Sequence, residues 1–192
     1  MHMPTVRRRW TVDDLHDLPE DGNRYEVIDG ELFVTPAPPF KHQRAVMLIM
    51  PLLADYLTRE PAGEVFVAPA DVTFSSTRTV QPDVFVIPFA DGRRADRFED
   101  VGKLLLAVEV LSPSTARADR VSKRVMYRDE QVPEYWLIDL DTRCIERSTP
   151  ADARVDIVIE QLEWSPDGAK APFRVDLPTY FDRVLDEAAT SS

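Results

Sequence analysis

Val80-Gln81-Pro82-Asp83-Val84-Phe85-Val86-Ile87, Leu104-Leu105-Leu106-Ala107-Val108-Glu109-Val110-Leu111 and Glu134-Tyr135-Trp136-Leu137-Ile138-Asp139 are the apolar runs whose reading decides the fold. Short continuous runs rich in β-branched and aromatic residues read as strands buried on both faces. Between the second and third, Ser112-Pro113-Ser114-Thr115 supplies a turn and an N-cap, residues 116–131 read as a helix, and Pro133 closes it. A strand reached through a helical crossover lies parallel to the one before it, so residues 134–139 should run parallel to 103–111. Two acids stand where charge is costly: Asp83, after a proline at the mouth of its run, and Glu109, inside an otherwise apolar strand. A carboxylate buried there without a partner costs several kcal/mol, so a metal ion or a cation must offset it. The helix offers one in Lys123, which shares a helical face with Asp119 and Tyr127 at spacings of four.

Upstream, Arg24-Tyr25-Glu26-Val27-Ile28-Asp29-Gly30-Glu31-Leu32-Phe33-Val34 reads as a β-hairpin on its Asp-Gly turn. The register pairs Ile28 with Glu31 and Glu26 with Phe33, which places these four on one face. Whether that face is solvated is open from the hairpin alone. Residues 42–59 carry apolar residues at helical spacing, with His42 near the start and Pro51 predicting a kink or restart. Residues 64–74 read as a strand interrupted at Pro69, antiparallel to a strand over 80–88. Residues 89–102 are an exposed loop carrying Arg93, Arg94 and Arg97, suited to contacting a polyanion. Residues 143–148 and 154–164 read as an antiparallel pair, 172–187 as a closing helix and 188–192 as a frayed tail. Near the start, Thr11 and Asp14 resemble a capping box before a short helix that Pro19 ends.

The composition, 44% apolar and 30% charged over 192 residues, is that of one globular domain, with a core over about 24–140 and an extension over 141–192. A net charge of −11 excludes a protein that coats nucleic acid by bulk attraction, but not a nuclease. Basic clusters remain at Arg7-Arg8-Arg9, in the 89–102 loop and along 117–128; taken singly, each reads as a solvated face. One cysteine, Cys144, excludes an internal disulfide framework, and no apolar run approaches the ~20 residues that span a bilayer. These features, with no signal-peptide pattern, lead us to expect a soluble, cytoplasmic protein without membrane partners.

Two carboxylates with a main-chain carbonyl, the other positions held by water or phosphate, form a magnesium site. Such an ion lowers the pKa of a bound water and neutralises charge developing on a phosphoryl group. The pattern Pro82-Asp83 followed by Glu109-Val110-Leu111, in this element order, resembles the PD-(D/E)xK nuclease superfamily. With Arg24 to Glu31, His42-Gln43, Gln81, Ser112 to Thr115, Asp119, Lys123, Tyr127 and Val132 to Trp136, it looks like the Uma-two family of endonucleases. The resemblance implies an α/β restriction-endonuclease-like fold: a mixed central sheet with an α-β-β-β-α-β core flanked by helices, an N-terminal hairpin, and a C-terminal β extension plus helix. It implies Asp83 and Glu109 as metal ligands with the Val110 carbonyl, Mg2+ or Mn2+ as cofactor, DNA as substrate and a homodimer as the working form. The superfamily lysine belongs two residues after the glutamate, where this chain has Leu111, so Lys123 is its natural replacement. An acidic residue often completes such sites; Glu31 is the first choice because it matches the family's Gly-Glu, with Glu26, His42, Asp119 and Tyr127 behind it. The other reading, motivated by the acidic charge and the missing lysine at 111, is an idle nuclease-like domain that binds nucleic acid or protein.

Overall fold

The computed structural model describes residues 8–185. Only half of the expected capping box forms: Thr11 donates its N–H and its hydroxyl to the Asp14 carboxylate, each at 2.8 Å, and the Asp14 N–H goes to the Thr11 carbonyl rather than its hydroxyl, ahead of a 3-10 turn over Asp13–Asp17. Arg7 and the 186–192 tail lie outside the described residues.

Strands β1 (Arg24–Ile28) and β2 (Glu31–Thr35) form the hairpin in the expected register. Asp29 and Gly30 both take positive φ, 52° and 82°, as the tight turn requires. Helix α1 (Phe40–Arg59) follows and runs unbroken through Pro51, against the expectation of a restart. The proline lies on the exposed side of the helix, as does Met47, whose carbonyl it leaves without an N–H, so water can satisfy that carbonyl. Next come β3 (Gly63–Val67), β4 (Val72–Ser75), β5 (Arg78–Val80) and β6 (Val84–Pro88). The run expected as one strand over 80–88 is two, because Gln81-Pro82-Asp83 passes between sheets: β5 pairs with β1 and β4, β6 with β3 and β7. Likewise 64–74 divides at Pro69 into β3 and β4, which belong to different sheets.

After the 89–105 connection come β7 (Leu106–Val110), a π-helical turn (Ala118–Lys123) running into α2 (Arg124–Asp129), and β8 (Tyr135–Asp139). β8 is parallel to β7, as the crossover predicts. The chain ends with β9 (Cys144–Ser148), β10 (Asp156–Val158), β11 (Gln161–Trp164), β12 (Phe173–Asp176) and α3 (Leu177–Leu185). Two expectations change here. The 154–164 segment is two strands, of which only β10 joins β9, and 173–176 is a strand paired with β11 rather than the start of the last helix.

The central sheet has the order β10-β9-β8-β7-β6-β3 and is covered on both faces, while β2-β1-β5-β4 forms a smaller sheet. Period-2 alternation assigns each residue its side. Val84, Val86, Leu106, Val108, Val110, Trp136 and Ile138 pack with α1, α3 and the β11–β12 pair. Phe85, Ile87, Ala107, Tyr135 and Leu137 pack with α2 and residues of the small sheet. Glu109, two residues after Ala107, therefore falls on the second face, under α2. No helix among the described residues is long and apolar enough to cross a membrane.

Candidate active site

Four carboxylates, Glu26, Asp83, Glu109 and Asp119, are buried in the space between the two sheets and α2. Each arrives there for a local reason. Glu26 is on β1, an inner strand of the small sheet, so its face is covered. Asp83 is the last residue of the crossing between sheets, and its Oδ2 accepts the Val110 N–H at 2.8 Å, which ties the start of β6 to the end of β7. Asp119 and Lys123 come from the π-helical turn, whose wider winding carries both side chains inward.

Lys123 is 1% exposed and is the hub of the group. Its Nζ lies 2.8 Å from Glu109 Oε1, 3.0 Å from Glu26 Oε1 and 3.6 Å from Asp119 Oδ1. Tyr127, one turn on, donates its hydroxyl to Glu109 Oε1 at 3.2 Å, and the Gln81 N–H donates to Glu26 Oε1 at 2.8 Å. Asp83 is held by three donors: Arg24 Nη1 at 3.0 Å on Oδ1, His42 Nε2 at 3.0 Å on Oδ2, and the Val110 N–H.

The ionisation follows from burial opposed by neighbours. Burial alone would raise Asp83, but the His42 hydrogen bond and field, with Arg24 and the Val110 N–H, hold it down to about 2. Burial pushes Glu109 well above the ordinary carboxylate range; Lys123 opposes this, while Asp83, Asp119 and Glu26 add to it. Burial likewise raises Asp119 against the pull of Lys123. Burial disfavours the Lys123 ammonium, yet Glu109, Glu26 and Asp119 outweigh it and keep the lysine charged.

These shifts act on stability in opposite directions. The raised Glu109 holds a proton in the folded chain that the unfolded chain has already released, so stability falls as pH rises from the ordinary value of 4.5 toward the raised one. Asp83, being depressed, contributes stability that is present above 3.8 and lost as pH falls toward about 2. Glu109→Gln removes the first effect, so the drop in melting temperature between about pH 5 and pH 8 should be smaller than in the parent chain. Equal drops in the two proteins would show that Glu109 is not the group responsible.

A cavity of about 220 Å³ opens beside this cluster, lined by Arg24, His42, Glu109, Val110, Asp119, the 35–39 turn and the 112–115 turn. Two buried polar atoms of its lining residues, His42 Nδ1 and Asp119 Oδ1, have no hydrogen-bond partner. Among the described residues no three His, Cys, Asp or Glu side chains stand close enough to enclose an ion by themselves. Glu109 and Val110 line the cavity and Asp83 is buried next to them, tied to the Val110 N–H; an oxygen set of this size would need water to complete a magnesium shell.

Among the residues singled out from sequence, Asp83, Glu109, Val110, Lys123, Glu26, His42, Asp119 and Tyr127 come together. Glu31 does not. It shares a face with Glu26, but β2 is the edge strand of the small sheet and Glu31 sits exposed at its turn end, so Glu26 takes the place expected of it. Arg93, Arg94 and Arg97 also stand apart. Their loop leaves β6 at the end away from Asp83, a five-residue strand or roughly 16 Å distant, and Arg94 pairs with Glu64 at 3.0 Å. Arg24 was missed as a site residue; its signal was the alternation that sets it on the same strand face as Glu26.

A mixed sheet with Asp83 at the mouth of β6 and Glu109 within the adjacent β7, and a helix crossing over the carboxylates, has the architecture of the restriction-endonuclease-like class of nuclease folds. A family model described as Uma2, putative restriction endonuclease, matches residues 12–171, and the chain belongs to that family. In three dimensions it is similar to the crystal structure of a putative nuclease of the DUF820 group from Anabaena variabilis, with a TM-score of 0.75 at 20% identity, covering 91% of this chain and 99% of that one. No curated protein matches.

Proposed function

We propose that this chain is a divalent-metal-dependent endonuclease that hydrolyses phosphodiester bonds in DNA, with Mg2+ as the natural ion and Mn2+ as a substitute. The observation that carries this reading is a charge imbalance. Four buried carboxylates face Arg24, Lys123 and the His42 ring that pairs with Asp83, so the acids outnumber the cations beside an open cavity. A divalent cation would supply positive charge, with the Asp83 and Glu109 carboxylates as its ligands in this reading. Protonation of Glu109 and Asp119 supplies it otherwise, which is the direction in which both carboxyls are pushed.

In this reading Asp83, Glu109 and the Val110 carbonyl hold the ion, which when bound acidifies a water and neutralises charge on the scissile phosphate. Lys123, kept protonated, is not a base: with its ammonium directed at Glu109, Glu26 and Asp119, it positions Glu109 and lends the site positive charge from beneath. Glu26, Asp119 and Tyr127 hold the lysine and Glu109 in position. His42 fixes the rotamer of Asp83.

A specific observation favours the second reading, an idle binding domain: both oxygens of Asp83 are already bonded to donors of the protein itself. The experiment that separates the two is incubation of supercoiled plasmid and of an end-labelled duplex with Mg2+ or with chelator. Metal-dependent nicking that Asp83→Asn abolishes supports the nuclease. No cleavage by the parent chain under any divalent ion would leave the binding domain.

We further propose a homodimer, with β10 as the contact, because this edge strand exposes Ile157 and, just beyond it, Ile159, at 55% and 57%. Light scattering should report about twice 21.9 kDa at micromolar concentration. Arg93, Arg94 and Arg97 would contact flanking phosphates of a long duplex. Their joint replacement by alanine should reduce the salt slope of DNA binding by up to about three, with an unchanged slope contradicting the assignment.

A further inference from the structure

Resting on the metal-dependent reading above, we propose that Arg24 is a displaceable cation: it occupies Asp83 until a divalent ion takes that carboxylate, and its guanidinium then binds the phosphate of the substrate. The bonding of Asp83 is divided in a way that allows this exchange. Oδ2 is held by the Val110 N–H and by His42, at 2.8 and 3.0 Å, whereas among the described residues Oδ1 is held by Arg24 alone. Loss of the arginine therefore releases one oxygen while the other keeps the carboxylate oriented.

The Arg24 contact is itself a single-point bond. Nη1 makes both of its hydrogen bonds, to Asp83 Oδ1 at 3.0 Å and to the Gln81 carbonyl at 2.8 Å, and among the described residues Nε and Nη2 have no protein acceptor. Arg147 in the same molecule shows the contrast. It grips Glu134 bidentately, Nε to one carboxylate oxygen and Nη2 to the other, in the manner of a permanent ion pair. A guanidinium with most of its fork unused, lining the cavity with Glu109 and Val110, presents the planar donor pair that suits a phosphate. Its side chain is 17% exposed, buried enough for its charge to be felt and open enough to meet a ligand. The exchange is local in charge as well: an ion on Asp83 replaces the positive charge that Arg24 now supplies to that carboxylate, which frees the guanidinium for an incoming anion.

The test uses Arg24→Gln, which keeps a polar side chain without the charge, and Arg24→Lys, which keeps the charge without the fork. Folding is verified by circular dichroism and thermal melting, and Mn2+ binding is measured by titration calorimetry. With the competing cation removed, Arg24→Gln should bind Mn2+ about tenfold more tightly than the parent chain and, at saturating Mn2+, cleave a duplex at least ~30-fold more slowly. Arg24→Lys should bind Mn2+ within about threefold of the parent and recover only part of the cleavage rate. Unchanged or weaker Mn2+ affinity in Arg24→Gln overturns the proposal; if that variant does not fold, full cleavage by Arg24→Lys overturns it. Where the parent binds Mn2+ and cleaves but the arginine variants behave like it, this inference alone fails. Where the parent binds no Mn2+ at all, it fails together with the metal-dependent reading.

Discussion

Replacing Lys123 with alanine should destabilise the protein by about 3–5 kcal/mol, because it strands three buried carboxylates around an empty space. In a chain of this length that corresponds to a fall in melting temperature of roughly 10 °C. Read only as the replacement for the superfamily lysine, Lys123 would matter for the chemical step; as the hub of a charge network it matters first for folding. Nζ lies within 3.0 Å of both Glu109 and Glu26, so the structural loss comes first. Mg2+ should restore part of it at neutral pH by neutralising the same acids, as any ligand specific to the folded state does. Mild acid should also restore part of it by protonating them. Thermal melts of Lys123→Ala across pH, with and without Mg2+, check this; a melting temperature like that of the parent chain would show that the lysine is not holding the acids.

The second large effect is on cleavage. Asp83→Asn and Glu109→Gln preserve shape and most hydrogen bonds, yet each should lower the rate by at least ~10³-fold, since a magnesium site with so few protein ligands tolerates the loss of neither charge. Their combination should be little worse than either alone, because residues of one catalytic unit fail together. Single-turnover cleavage of a labelled duplex measures this. Losses that multiply in the double variant would mean that the two carboxylates act independently.

The parts of this site that were legible in the sequence are those set by local rules. Asp29-Gly30 dictates a two-residue turn, and with it the register that puts Glu26 opposite Phe33. Glu109 amid β-branched residues announces a buried charge, and the four-residue spacing of Asp119, Lys123 and Tyr127 announces the helix face that answers it. The rest depended on non-local pairing. Glu26 and Glu31 are equivalent within the hairpin and become different only when β5, some fifty residues later, pairs with β1 and leaves β2 as the edge. The split of 80–88 has the same origin: Gln81 gives its N–H to Glu26 instead of a ladder, and Pro82 has none to give. Arg24 could be placed on the Glu26 face by alternation, but its contact with Asp83 spans 59 positions and no periodicity reports it. Pro51 does not restart the helix: the Met47 carbonyl that it leaves unbonded lies on the exposed side, where water can satisfy it.

The central claim is that Asp83 and Glu109 hold a divalent ion. Titration calorimetry with Mn2+ at neutral pH tests it most directly. The site described here predicts binding in the parent chain that is lost in both Asp83→Asn and Glu109→Gln, accompanied by proton release to the buffer as the raised Glu109 carboxyl ionises to take the metal. Absence of binding in the parent chain, or binding that persists unchanged in both variants, would contradict it.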